Sequence, residues 1–322
     1  MDKKVRIIFD TDIGGDCDDA GTLAMLHGLC DRGEAELLAV THCGASPYVA
    51  GCIDAINRYH GRAVPVGINY DCWGTGRGVY AASLCEEFPN GYPAESVIAD
   101  KIVPDTLTVL RQILAAAEDN SITLVVTGAL NSMAKLITSG PDVVSPLTGK
   151  ELVQKKLSRT VVMGGRFFES WPMVIYESGT IGHHEMTWEY NIIGSGNNAR
   201  IACDEWTGEL VFASYELGTY IKTMVGYPSK VPAEDPVGRA YDLHNQGTGR
   251  CSWDQTAMLE AVRPGVYWNY HEYGRVTVDD EYVTHWNREE GGKHTYMLPK
   301  VDYEEIRKIM DDLILPPEKQ KA

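Results

Sequence analysis

The sequence predicts a single α/β domain with a mainly parallel central sheet flanked by helices. Through the first half of the chain, apolar runs typical of buried strands alternate with segments that have helical patterns. Such alternation is characteristic of βαβ units, whose strands lie parallel in one sheet. The 322 residues, 44% of them hydrophobic, are enough for one large core. We therefore expect one domain over residues 1–322, with loop insertions near residues 69–100 and 166–190.

Five apolar runs are predicted to form the parallel strands. In chain order they are VRIIF, AELLAVTHC, AVPVGIN, ITLVVTGAL and RTVVMGG. Short apolar runs are typical of strands that are buried on both faces. A later segment, GRVTVDDEYVTHW, predicts additional strands with antiparallel pairing. Because ligands bind at the carboxyl ends of parallel strands, the functional groups should follow these runs.

The segments between the strands carry helix signals. DDAGTLAMLHGLCDRG has aspartates in its first turn and ends at Gly33, and YVAGCIDAINRYHG ends at Gly61. DTLTVLRQILAAAEDN has the periodicity of an amphipathic helix. NSMAKLITSG follows the fourth strand, and VDYEEIRKIMDDLIL is predicted to be the closing helix. The insertion at 69–100 is rich in Gly, Pro and aromatic residues, and long loops often form lids or binding loops.

Charge and cysteine usage exclude several functional classes. The chain carries 29 basic and 45 acidic residues, a formal charge of −16, which argues against nucleic acid or an anionic membrane as a partner. No apolar stretch reaches the roughly 18 residues of a membrane span.

The first residues, MDKKVRII, lack the apolar region of a secretory signal, so we expect a cytoplasmic protein. None of the eight cysteines forms a CxxC pair, and no zinc spacing is present. In a chain of this length without a secretory signal, they are expected to be mostly buried, reduced thiols.

Five aspartates are crowded directly after the first predicted strand: Asp10, Asp12, Asp16, Asp18 and Asp19. Like charges this close raise each other's pKa and destabilise the fold unless a cation joins them. The dipole of the first helix explains Asp18 and Asp19 but not the two aspartates at the strand end. An EF-hand is excluded, because its twelfth position would be Gly21 instead of a bidentate glutamate. A site for a hard cation such as Ca²⁺ explains the whole cluster.

The opening IIFDTD also resembles a second class of protein, the phosphotransferases of the haloacid-dehalogenase type. In that class the first aspartate is a nucleophile and the second is an acid. Ile13, Gly14 and Gly15 depart from the pattern that follows in those enzymes. This departure argues against a phosphotransferase, but the match of IIFDTD keeps a phosphatase as an alternative function.

The segment DTDIGGDCDDAGTLAML resembles the signature of the inosine-uridine-preferring nucleoside hydrolase family, Asp-x-Asp-Pro-Gly-x-Asp-Asp-Ala. Ile13 replaces the proline, and two additional residues precede the final aspartate pair, a form associated with bacterial members. Further segments resemble the family in the same order: ITLVVTGALNSMA, VVMGG, EYNII, SWDQTAML and KHTYMLPKVDYEEI. The resemblance spans nearly the whole chain and implies an open, Rossmann-like sheet and a homodimer or homotetramer.

The resemblance implies a calcium-dependent hydrolase that cleaves the N-glycosidic bond of ribonucleosides to ribose and free base. In this family one calcium ion binds the 2′ and 3′ hydroxyls of ribose and activates the water that attacks the anomeric carbon. Acidic residues hold the ion, and their negative field favours a cationic transition state. A non-catalytic, calcium-dependent protein that binds nucleosides or sugars is a further alternative.

By similarity, the calcium ligands are Asp12, Asp19, the backbone carbonyl of Thr127, and Asp254. Asp12 would also be the general base for the attacking water. Asp10 is expected to be a structural hydrogen-bond acceptor at the strand end. Taken alone, Asp254 is better explained as the N-cap of the helix QTAMLEAVRP, and the two roles can coexist.

The resemblance also implies a set of sugar-binding residues. Asp18 should bond the sugar hydroxyls, although the two-residue insertion makes Asp16 an alternative for this role. Glu189 should face the 5′ hydroxyl and Asn191 the 3′ hydroxyl. Met163 should lie under the ribose.

The residue before Asp254 bears on the leaving base. Family members with a leaving-group acid have a histidine there, whereas this chain has Trp253. This is similar to the purine-preferring branch, in which aromatic stacking helps the base to leave, so purines are expected. The alternative is that Trp253 packs in the core. Other candidates for base contacts lie in the insertions: Trp73, Tyr80, Trp171 and Trp188 for stacking, and His183 and His184 for an acid.

Overall fold

The computed structural model describes residues 4–72, 74, 76–167 and 188–315, together with the backbone of residues 174–175 and 181–182. Its strands are β1 Val5–Thr11, β2 Ala35–His42, β3 Val66–Ile68, β4 Ile122–Val126, β5 Leu157–Met163, β6 Val174–Ile175, β7 Ile181–Gly182, β8 Leu210–Ala213, β9 Lys222–Thr223, β10 Arg250–Cys251, β11 Trp268–Tyr270, β12 Arg275–Val278, β13 Thr284–Asn287 and β14 His294–Pro299. Its helices are α1 Asp18–Asp31, α2 Val49–Tyr59, α3 Ala81–Glu87, α4 Ala94–Ala99, α5 Thr106–Ala116, α6 Asn131–Ile137, α7 Gly149–Lys156, α8 Tyr190–Ser195, α9 Asn197–Glu205, α10 Tyr215–Thr219, α11 Tyr227–Lys230, α12 Pro236–Asn245, α13 Trp253–Val262 and α14 Tyr303–Ile314.

Eight of these strands form the central sheet, in the order β11-β14-β8-β5-β4-β1-β2-β3. Neighbouring strands run parallel except for the edge pair β11 and β14. The prediction of a single α/β domain with a mainly parallel sheet is therefore confirmed. The late strands β12 and β13 pair antiparallel, as the sequence predicts.

Helices cover both faces of the sheet. Successive side chains of a strand point to opposite faces, and β1 shows the result. Ile7 and Phe9 pack into a core with α1, α2, α13 and α14, whereas Ile8 packs into a second core with α5, α6, α7 and α9. All three side chains are fully buried. Their packing on both faces fixes the position of β1 and therefore of the residues that follow its carboxyl end.

The two predicted insertions, 69–100 and 166–190, have different outcomes in the structure. The insertion at 69–100 contains the short helices α3 and α4 instead of a continuous loop. Much of the insertion at 166–190 lies outside the described residues, and the candidates Trp73, Trp171, His183 and His184 lie outside them too. Within the described ranges, no helix combines the length and the apolar character needed to cross a membrane. All eight cysteines are free thiols, five of them buried.

The strand order reverses direction at β1, which has β2 on one side and β4 on the other. At such a switch point the connections leave the sheet in opposite directions and open a crevice beyond the carboxyl ends of the strands. Asp12 follows the end of β1, and Thr127 follows the end of β4. The fold therefore presents these two residues at the crevice.

Candidate active site

A pocket of about 460 Å³ lies beyond the carboxyl ends of β1, β4 and β5. The ten residues expected to hold the cation, bind the sugar or act in catalysis all line this one pocket: Asp12, Asp16, Asp18, Asp19, Thr127, Met163, Glu189, Asn191, Trp253 and Asp254. Trp188, a candidate for stacking on the base, lines it too, and the remaining lining residues are Gly15, Arg166, Tyr190, Tyr215, His244 and Arg250. Tyr80 is instead buried against the loop after β1, where Gly14 N–H donates to its hydroxyl and that hydroxyl donates to Asp16 C=O.

Hydrogen bonds between β1 and β4 hold the floor of the pocket. Thr127 N–H donates to the Asp10 carbonyl at 2.8 Å, which ties the turn after β4 to the last residues of β1. The Asp10 carboxyl accepts from the Thr41 hydroxyl at 2.5 Å, and its burial raises its pKa to about 7. The position of Asp10 in the strand matches the structural role expected of it.

Gly128 allows the turn after β4 to approach Asp12 closely. A Cβ atom at residue 128 would lie 2.7 Å from Asp12 N and 2.9 Å from Asp12 Cβ. These distances are shorter than any tolerated contact, and two of the three atoms approached are backbone atoms that cannot rotate away. A side chain at 128 must therefore displace Asp12 or the turn.

We expect Gly128→Ala to destabilise the protein by about 1–3 kcal/mol, as overpacking in a close contact does. Turnover should fall as well, because Asp12 moves. The matched control is Gly140→Ala, since no atom lies within 4 Å of a Cβ built at residue 140. Urea denaturation and activity measured on both variants check this; equal stability of the two variants would contradict it.

Three buried carboxylates converge at the amino ends of two helices. Carboxylate oxygens of Asp18, Asp19 and Asp254 lie within 4.8 Å of one another. Asp254 N–H donates to Asp18 Oδ2 at 3.3 Å, and the Thr11 hydroxyl donates to Asp19. Helix α1 begins at Asp18 and α13 at Trp253, so the positive ends of both helix dipoles face the cluster.

The interpretation of Asp254 as an N-cap is wrong. Ser252 is the N-cap of α13, and Asp254 is the second residue of that helix. Its backbone N–H donates to a carboxylate on α1, while its own carboxylate is directed into the cluster. The reason is that α13 begins two residues earlier than the local sequence indicates, so that Trp253 and Asp254 both belong to its first turn and line the pocket.

Burial sets the electrostatics of the cluster. It raises the pKa of Asp18, Asp19 and Asp254 well above the usual range, and repulsion among neighbouring carboxylates raises these pKa values further. Burial, followed by the charge of Asp16, raises the pKa of Asp12 to about 6. A bound divalent cation reverses this effect, because it favours the ionised carboxylates. A donor set made only of hard oxygen atoms fits Ca²⁺ better than a softer metal.

A second side of the pocket is formed by β5 and α8. The Glu189 carboxylate caps α8, accepting from Asn191 N–H at 2.8 Å, Ile192 N–H at 3.0 Å and Gly165 N–H at 3.1 Å. Burial raises the pKa of Glu189 to about 7. The Asn191 amide donates to the Thr127 carbonyl at 2.7 Å and approaches Met163 Sδ at 3.2 Å. These contacts fix Glu189, Asn191 and Met163 relative to the carbonyl of Thr127.

Asp16 is not one of the three converging carboxylates and has other partners. Its oxygens accept from Arg250 Nε at 2.8 and 2.9 Å and from Arg250 Nη2 at 2.5 Å. His244 Nε2 lies 3.4 Å from Asp16 Oδ1. Of the two aspartates considered for the sugar hydroxyls, Asp18 is thus the one beside Asp19 and Asp254, whereas Asp16 is held in an ion pair.

Trp253 lies in a stack of side chains along the pocket wall. Its ring stacks with Tyr215 at a centroid distance of 5.6 Å, and the Arg250 guanidinium lies 4.9 Å from its centroid. Trp253 Nε1–H donates to the Tyr215 carbonyl at 3.0 Å and approaches Thr219 Oγ1 at 3.1 Å. The indole N–H is therefore used within the protein, and the ring is held in place.

Sequence reasoning missed Arg250, His244, Arg166 and Tyr215. Arg166 lies in the pocket with its guanidinium 5.2 Å from the Tyr215 ring centroid. None of the four stands in a motif. The one local signal is that Arg250 precedes Trp253 by three residues.

Comparison with known proteins identifies the family. A family model described as "Inosine-uridine preferring nucleoside hydrolase" matches residues 7–308. No curated protein sequence matches the chain significantly. Solved structures that resemble it include three nucleoside hydrolases, and at their sequence identities the likeness establishes the fold.

The first of these structures is described as an inosine-guanosine nucleoside hydrolase, with 17% identity, a TM-score of 0.67 and coverage of 96% of this chain and 98% of the other. A plant nucleoside hydrolase has 16% identity, a TM-score of 0.66 and the same coverages. An inosine-uridine preferring nucleoside hydrolase from Bacillus anthracis has 15% identity, a TM-score of 0.62 and coverage of 96% and 99%.

Proposed function

This chain belongs to the inosine-uridine preferring nucleoside hydrolase family, and on that premise we propose that it is a calcium-dependent hydrolase of purine ribonucleosides. The reaction releases ribose and the free base. The observation that carries the proposal is the convergence of acidic residues from both ends of the chain: Asp18 and Asp19 lie against Asp254 in the pocket that Asp12 also lines. We further propose a cytoplasmic homodimer or homotetramer that acts in purine salvage.

Four groups are proposed to hold the cation: the carboxylates of Asp12, Asp19 and Asp254, and the backbone carbonyl of Thr127. When bound, the cation would supply Lewis-acid activation of water and a docking point for the vicinal hydroxyls of ribose. The Thr127 carbonyl already accepts from Asn191, and a carbonyl oxygen has a second lone pair for a further partner.

The remaining roles follow from position and chemistry. Asp12 takes the proton of the attacking water as general base. The buried carboxylates stabilise the positive charge that develops on the sugar. Asp18 accepts from a ribose hydroxyl, Glu189 and Asn191 orient the sugar, and Met163 packs under it. Trp253 contributes to the aromatic wall beside the base, and the structure supports this by its place in the pocket.

The test is a screen of inosine, guanosine, adenosine, uridine and cytidine, with calcium or with a chelator, that measures reducing sugar. We expect release from purine ribonucleosides in calcium and none in chelator. Release of phosphate from p-nitrophenyl phosphate without release of base would establish the phosphatase instead. Tight binding of ribose or nucleoside without hydrolysis would establish a binding protein.

A further inference from the structure

We infer that Tyr80 is a positioning residue for the proposed cation site. Its hydroxyl holds the loop between β1 and α1, residues 12–17, in the conformation that presents Asp12 and leads into the first turn of α1. The inference rests on the proposed calcium site and adds to it a residue from the insertion at 69–100. Tyr80 is fully buried and does not line the pocket, so it acts through the loop.

The Tyr80 hydroxyl bridges two points of the β1–α1 loop. It accepts from Gly14 N–H at 3.0 Å and donates to the Asp16 carbonyl at 2.7 Å. Because one hydroxyl makes both bonds, the backbone at residue 14 and the backbone at residue 16 are held within reach of the same oxygen atom. The hydroxyl therefore fixes the bend of the loop between Asp12 and the start of α1.

The backbone before Tyr80 contacts the same bend. Val79 N–H donates to the Gly14 carbonyl at 2.7 Å. Gly14 has a φ of 121°, a conformation that residues with a Cβ atom rarely adopt. A Cβ atom at residue 78 would lie 2.2 Å from the Gly14 carbonyl oxygen, so only glycine at 78 allows this close approach. The bend is thus held by a backbone bond as well as by the hydroxyl.

The segment that contains Tyr80, residues 76–80, is itself anchored away from the cation site. The Ser46 hydroxyl donates to the Gly76 carbonyl, and Arg77 Nη1 donates to the Tyr48 hydroxyl at 2.7 Å. Helix α3 follows directly and packs against α2. These contacts tie the segment to α2 and to the turn before it, so the segment can act as a fixed support for the β1–α1 loop.

The loop has little stiffness of its own. Residues 12–17 include two glycines and no proline, so the unrestrained backbone has many conformations. Within the loop, Ile13 N–H donates to the Thr11 hydroxyl at 3.1 Å, which restrains only its beginning. The bonds from Val79 and Tyr80 therefore supply a restraint that the sequence of the loop lacks.

Carboxylate repulsion favours an open loop when no cation is bound. Burial, and then the charge of Asp16, raises the pKa of Asp12 to about 6, so the two carboxylates oppose each other across the loop. A cation that binds the closed loop has a measured affinity lowered in proportion to the fraction of molecules that are closed. Separation of residues 14 and 16 breaks at least one bond of the Tyr80 hydroxyl. Tyr80 should therefore raise calcium affinity by keeping the metal-free loop closed.

The experiment measures calcium affinity by titration calorimetry in the native protein, Tyr80→Phe and Tyr70→Phe. Tyr70 is the matched control, because it lies in the same insertion and its hydroxyl lies 3.1 and 2.8 Å from the carbonyls of Val97 and Val103. We expect the Kd for calcium to rise about tenfold in Tyr80→Phe and to stay native in Tyr70→Phe, while the Tm in chelator falls in both. At saturating calcium, kcat for inosine in Tyr80→Phe should return to within about threefold of the native value, because the cation then closes the loop.

A second pair of variants tests the same contact and keeps the inference testable if Tyr80→Phe does not fold. Gly78 and Gly76 have φ values of 63° and 62°, so alanine strains the backbone alike at both positions. A Cβ atom at residue 78 meets the Gly14 oxygen, whereas one at residue 76 has no atom within 4 Å. We expect Gly78→Ala to weaken calcium binding and Gly76→Ala to keep the native affinity.

Native calcium affinity in Tyr80→Phe, or an equal loss of affinity in Tyr80→Phe and Tyr70→Phe, overturns the inference while the proposed function stands. Equal affinities in Gly78→Ala and Gly76→Ala overturn it as well. If the native protein binds no calcium, the proposed cation site fails, and the inference fails with it. If the native protein binds calcium but releases no base from inosine, the proposed hydrolase fails, and the calorimetry still decides the role of Tyr80.

Discussion

Asp12→Asn should reduce base release from a purine ribonucleoside by about 10²–10⁴-fold or more, because the amide can no longer take the proton of the attacking water. Asp12 follows β1 at the point where the strand order reverses, and Gly128 packs against its backbone. The substitution preserves the shape of the side chain, so the fold should persist. The measurement is kcat at saturating inosine in calcium, together with the Tm of the variant.

The control for this variant is Asp242→Asn, which removes a surface carboxylate paired with Arg239 and should keep native activity. Calcium titration calorimetry separates the two roles proposed for Asp12. Lost turnover with native calcium affinity assigns the effect to proton transfer, and loss of both assigns it to metal ligation. Full activity in a folded Asp12→Asn protein would remove Asp12 from the mechanism.

The elements around β1 were predictable because their signals are local. Four of the five residues in VRIIF are apolar, and the aspartates and Gly33 mark the two ends of the helix that follows. Strand β8 has only four residues, and β11 and β14 join the sheet through pairing with distant strands. No period in their own sequences reveals such pairing, so these strands were not predicted.

The pocket residues also divide into those with a local signal in the sequence and those whose partners are distant in the chain. Asp12, Asp18 and Asp19 could be identified from the sequence because so many aspartates close together repel one another unless a cation binds them. Asp254 was found through resemblance, and its first local interpretation as an N-cap was wrong. Arg250 was missed because its partner Asp16 is 234 residues away. Nothing in the local sequence around either residue indicates such a distant pair.

The metal-free protein should lose stability as the pH rises, and calcium should reverse this trend. In the fold without a cation, the pKa values of Asp18, Asp19 and Asp254 are raised well above 3.8, that of Asp12 to about 6 and those of Asp10 and Glu189 to about 7. Each of these groups has a higher pKa in the folded protein than in the unfolded chain. As the pH rises, the unfolded chain therefore loses these protons at a lower pH than the folded protein does. The free energy of unfolding therefore falls as the pH rises from about 4, the ordinary pKa of these groups, and the contributions of Asp12, Asp10 and Glu189 are lost by about pH 6–7.

With calcium bound, the ligand carboxylates are ionised in the folded state, and their contribution to stability changes sign. Calcium at a hundred times its Kd should then stabilise the fold by about 2.7 kcal/mol. Asp254→Asn separates the two effects, because it removes one buried charge and one ligand together. At pH 8 we expect this variant to have a higher Tm than the native chain in chelator and a smaller response to calcium, whereas Asp242→Asn should follow the native chain in both. A metal-free Tm that rises between pH 5 and 8 would mean that the crowded carboxylates are neutralised by groups of the protein itself, and the need for a cation at this site would disappear.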